Sequence, residues 1–170
     1  MTFKSTVLVI SALAALLGSA PSARAEDPRG CDKFKWPVAH DQAALLQAKK
    51  PIIESGGSIA LEAATTLRLA PLADAHFAMP PERAPKSPAD KAAMANASAP
   101  AAGVYKISLS EAGWIDVIQD GAFVKSLNVS GALDCPGIRK IVVFKLAAKP
   151  FAIEVSGVTA PELSLIVSPE

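Results

Sequence analysis

Two histidines and a glutamate, His40, His76 and Glu82, are the side chains of this sequence best suited to bind a transition metal. His76 and Glu82 stand six residues apart, and His40 could complete a two-histidine, one-carboxylate set. Such a set holds non-haem Fe2+ with positions left open for oxygen and substrate. Two of these residues fall in His76-Phe77-Ala78-Met79-Pro80-Pro81-Glu82, at the start of a proline-rich stretch that offers little rigid support for ligands. The plainer expectation is ordinary loop or surface histidines.

Cys31 and Cys135 are the only cysteines. Zinc and iron–sulfur sites use three or four protein ligands at short spacings, and the chain has no C-x-x-C. In an exported protein two cysteines have one intramolecular pairing, so a structural disulfide is expected. By chain entropy a loop of this length is worth about 4 kcal/mol. Trp36, Trp114 and Asp116 form a candidate ligand surface of two rings and a carboxylate. In "WIDVIQDG" alternation puts Trp114, Asp116 and Ile118 on one side of a strand and Ile115 and Val117 on the other. An unpaired buried carboxylate is costly. Asp116 is therefore expected on the solvent face, or else paired with Arg139, Lys140 or a backbone amide. Trp114 is expected in the core or on the sheet surface. There is no G-x-S-x-G elbow, phosphate-binding glycine loop or H-E-x-x-H, and no catalytic residue is assigned.

The elements that must carry these residues begin with a leader. Residues 1–25 combine Lys4, an apolar run from Val7 to Leu17 and the small-x-small triplet Ala23-Arg24-Ala25, which reads as a secretory signal peptide. The run is shorter than the ~20 residues of a spanning helix, so no membrane span is expected. Cys31 lies beyond a charged stretch after the cleavage point, so it is not a lipid anchor. Taking Lys4 and Arg24 from the 17 basic residues, and none of the 16 acidic ones, leaves a mature net charge of −1. That balance steers the chain to neither nucleic acid nor anionic lipid. The expected location is periplasmic or secreted.

Residues 26–64 read as an N-terminal arm and short helix, with Val38, Leu45 and Leu46 near one face, Asp41 as a candidate cap and Pro51 as the stop. A second short helix over Ser58 to Ala64 is an alternative for the segment that follows. Residues 65–170 read as the main domain, its first strand near Thr65 to Leu72. Within it, residues 78–102 are rich in proline and alanine, a long loop or irregular edge segment. After residue 102 short apolar runs recur between turn signals such as Asp120-Gly121 and Pro136-Gly137. The pattern predicts a mainly β protein, an antiparallel β-sandwich or jelly roll with a short helical N-terminal part.

The stretches "GVYKISLSEAGWIDVIQDG" and "KPFAIEVSGVTAPELSLIV" resemble the pre-peptidase C-terminal β-jelly-roll module of secreted bacterial peptidases, which implies a non-catalytic binding or stabilising role. "CDKFKWP", "GWIDVIQDG" and "DCPGIRK" resemble a group of short exported alphaproteobacterial proteins of unknown function. Some of that group are named homogentisate 1,2-dioxygenase, a cupin-type iron enzyme with a histidine and a glutamate ligand six apart, the spacing of His76 and Glu82. The expected function is a non-catalytic, envelope-associated binding role toward a glycan or protein, with no cofactor. The alternative that the second resemblance implies is a small dioxygenase holding Fe2+ on His40, His76 and Glu82.

Overall fold

The computed structural model describes residues 27–84 and 86–170. The leader expected over residues 1–25 lies outside the described residues. A 3-10 turn (Cys31–Lys33) and helix α1 (Ala39–Leu45) precede the sheets. The strands are β1 (Ile52–Ile53), β2 (Gly57–Ser58), β3 (Thr65–Arg68), β4 (Ala70–Pro71), β5 (Lys91–Ser98), β6 (Gly103–Leu109), β7 (Trp114–Gln119), β8 (Ala122–Phe123), β9 (Ser126–Gly131), β10 (Lys140–Leu146), β11 (Pro150–Val158) and β12 (Glu162–Pro169). Sheet one runs β1-β3-β12-β6-β10-β9; sheet two runs β2-β5-β11-β7-β8, with β4 also alongside β5. The short pairs β1–β3 and β2–β5 are parallel. The remaining ladders are antiparallel. The expected mainly β sandwich is present, and its sheets are mixed.

Strand composition follows the number of covered faces. In β10, Val142, Phe144 and Leu146 enter the core between the sheets, while Ile141 and Val143 join a second cluster on the outer face of sheet one. A strand buried on both faces needs the unbroken apolar run "IVVF". Phe34, Val38 and Leu45 of the arm and α1 cover that outer face against Ile138, Ile141 and Ile166. The disulfide Cys31–Cys135, spanning 104 residues of sequence, fastens the arm there. Trp36 packs partly against the same cluster and donates its indole N–H to Glu170 Oε1 at 2.6 Å.

Three expectations require correction. Asp41 does not cap α1. Val38 stands at the N-cap, and Asp41 turns inward, 1% exposed, because two serine hydroxyls of sheet one await an acceptor. Ser108 Oγ donates to Asp41 at 2.7 Å and Ser168 Oγ at 3.1 Å. Residues 58–64 form no helix; β2 ends there and Glu62, at φ 61°, turns the chain while its amide donates to the Val167 carbonyl. The segment 78–102 divides. Residues 78–84 and 86–90 belong to an irregular strap, and Lys91–Ser98 is β5, an interior strand paired with β11 on one side and with β2 and β4 on the other. Its inward residues Ala93, Ala95 and Ala97 let the sheets approach closely, and their low strand propensity conceals the strand.

Candidate functional site

Strand β7 supplies the floor of the site. Ile115 and Val117 face the core, so Trp114 and Asp116 point to the outer face of sheet two, as alternation requires. Asp116 is not exposed. It is 3% accessible, and its Oδ1 accepts the Trp114 indole N–H at 2.6 Å. Its Oδ2 accepts the backbone N–H of Glu82 at 3.1 Å, one of the partner types expected for it. Directly opposite on β11 lies a second buried carboxylate, Glu154, 1% accessible. Glu154 Oε1 accepts the Met79 N–H at 3.1 Å, and Oε2 is buried with no partner among the described residues.

The strap's sequence explains this latch. Between Met79 and Glu82 stand Pro80 and Pro81, which have no N–H, so the two flanking residues carry the only amide donors of that turn. Each meets one carboxylate of the adjacent strand pair. Burial holds the Glu154 carboxyl above the usual glutamate range. The Met79 and Ala78 amides oppose that shift, and the Asp116 charge adds to it.

Once the strap is pinned at Glu82, Arg83 falls over the Trp114 ring, its Cζ 5.2 Å from the centroid. Lys140, at the start of β10, brings Nζ to 5.6 Å from the same centroid and donates to the Gly113 carbonyl. Both distances are within cation–π range. Burial lowers the Lys140 pKa. The charges of Arg139 and Arg83 lower it further, and Asp116 partly offsets them. Around this centre opens a cleft of about 400 Å³ lined by Arg83, Lys86, Trp114, Val129, Lys140 and Gly157, among others. A smaller groove continues past Gly113 and Val129 to Arg139 and Asp27.

The metal candidates are not assembled. His40 is exposed on α1, its Nδ1 3.1 Å from Asp41 Oδ1, on the outer side of sheet one. His76 is exposed in the turn after a 3-10 segment (Leu72–Asp74), at φ 52°. Glu82 carries an exposed side chain over sheet two and uses only its amide at the site. Among the described residues no group of three or more His, Cys, Asp or Glu is placed to hold a metal ion. These residues do not fit the iron that the dioxygenase resemblance implies. Trp36 belongs to the arm on sheet one and Trp114 to sheet two, so the two rings form no shared surface. Sequence reasoning missed Arg83, Lys86 and Glu154. The "MPPE" donor pattern was the one available signal for the strap latch, and nothing local tied Arg83 to Trp114. Comparison with protein-family models, curated proteins and solved structures finds no match to the chain.

Proposed function

We propose that the chain is an exported, non-catalytic binding module and that an envelope component, a glycan or a protein segment, enters the Trp114 cleft. The observation that carries this reading is a solvent-open cleft around an indole held in place on its edge by buried Asp116 and flanked by two cations. A site so fixed before binding loses little side-chain entropy when a ligand enters. The polar groups support binding over chemistry. The indole N–H and both Asp116 oxygens are engaged within the protein, and the two carboxylates face the strap amides.

Export is supported by the leader pattern of residues 1–25 and by the disulfide, a bond suited to an oxidising compartment. No helix of the described residues is long and apolar enough to cross a membrane. The resemblance to the pre-peptidase C-terminal module agrees with a binding role. The test is a screen of peptidoglycan fragments, envelope glycans and envelope extracts on the immobilised protein, beside Trp114→Ala. The reading expects a ligand whose retention falls with Trp114→Ala. A ligand held equally by both proteins would place binding elsewhere, and no retained ligand would leave a structural role.

A further inference from the structure

We infer that the group held in the Trp114 cleft is an anion, a carboxylate or a phosphate, gripped by Arg83 and Lys140 with Lys86 at the rim. This inference rests on the binding role proposed for the cleft and adds the chemistry of its ligand.

The charge arrangement comes first. Three cationic side chains line the cleft against one carboxylate, Asp90, which is buried and accepts the Ser87 amide at 3.0 Å. Among the described residues no carboxylate oxygen lies within ion-pair distance of Arg83, Lys86 or Lys140. By contrast Arg29, Arg68, Arg139 and Lys149 each sit within 4 Å of an acid. Lys140 is also desolvated and crowded by the charges of Arg139 and Arg83. An anion between the side chains relieves that repulsion, and a guanidinium can offer it two parallel N–H donors.

The ring's own state points the same way. A neutral sugar recognised by tryptophan needs a free ring face and gains from a free indole N–H. Here Asp116 takes the N–H, and Arg83 and Lys140 already lie within cation–π distance of the ring. The indole serves as a mount for cations, and mounted cations without a carboxylate partner select negative charge. Gly157, at φ 70°, lines the cleft on the β11 side.

The test reads Trp114 fluorescence in a Trp36→Phe background, titrating inorganic phosphate, D-glucuronate and methyl glucoside. Phosphate or glucuronate should give a saturable change that weakens with added salt. Arg83→Gln should raise Kd about tenfold or more, the usual cost of a lost charged hydrogen bond. Lys140→Gln should do the same; because Lys140 is partly buried, the strap variant Arg83→Gln carries the decision. The phosphate and glucuronate arms separate a phosphorylated from a carboxylated ligand. A methyl glucoside response that survives Arg83→Gln would overturn the inference and leave the cleft a binding site. Absence of a saturable response to both anions at millimolar concentration would also overturn it. In that event an envelope ligand whose retention falls with Trp114→Ala keeps the binding role, and its absence removes both.

Discussion

Glu154→Gln should stabilise the protein at neutral and mildly alkaline pH. In the wild type Glu154 Oε1 accepts the Met79 amide, while Oε2 is buried without a partner among the described residues, opposite a second carboxylate, Asp116. Burial raises the pKa above the 4.5 of an ordinary glutamate. Below that ordinary value the carboxyl is protonated in both states, and the native state keeps its full stability. As pH rises through the raised native value, ionisation costs more in the folded than in the unfolded chain, and stability is lost. Glutamine keeps an acceptor for Met79, carries no charge and places a donor near Asp116. A buried unsatisfied polar atom costs about 1–3 kcal/mol, so the variant should gain about 1–2 kcal/mol near pH 8, shrinking to nothing near pH 4. Urea unfolding at a series of pH values, with unchanged slope m, reads the difference directly. A variant less stable than wild type by the same amount at every pH would refute the reasoning, because it would mean that Oε2 is satisfied.

Reducing Cys31–Cys135 opens a closure spanning 104 residues and should cost up to about 4 kcal/mol; intact mass before and after reduction, with the urea midpoint, checks both the bond and its worth. Asp41→Ala removes the acceptor of two buried serine hydroxyls and the nearest acid to Lys106 Nζ, 3.9 Å away. A loss of about 3–5 kcal/mol is expected by denaturant unfolding, whereas exposed His40→Ala should fall within about 0.5 kcal/mol. Asp116→Ala frees the Glu82 amide and the Trp114 indole together. Hydrogen exchange at Glu82 should accelerate and Trp114 emission shift to the red, with little change at the core amides of β6.

Strands β7 and β10 were legible because their side chains alternate or run continuously according to which faces are covered. "WIDVIQ" places Ile115 and Val117 inward, and "IVVF" marks a strand covered on both sides. Strand β5 was not legible, because "KAAMANAS" fills its inner face with alanine in a region dense with proline. The disulfide followed from having two cysteines, and Phe34 and Trp36 pack beside it on the outer face of sheet one. Alternation leaves Asp116 either in solvent or paired with Arg139, Lys140 or a backbone amide, because no local pattern says that a strap will cover it. Its cover is that strap, whose Glu82 amide, beside the proline pair and 34 residues earlier in the chain, donates to Asp116 Oδ2. Arg83, Trp114 and Lys140 meet only through the pairing of distant strands, which spacing along the chain does not reveal. The iron set failed for the same reason in reverse: residues of suitable type lie on opposite faces of the sandwich.

The central claim is that the Trp114 cleft is where this protein binds. A ¹⁵N correlation spectrum resolves its two indole N–H signals, with Trp36, bonded to Glu170 on sheet one, as the internal control. On titration with the envelope ligand recovered from the screen, the Trp114 indole and the amides of Arg83, Gly113 and Gly157 should shift together while the Trp36 indole stays fixed. Shifts centred on Trp36, α1 or His40, with the Trp114 indole unmoved, would contradict the account.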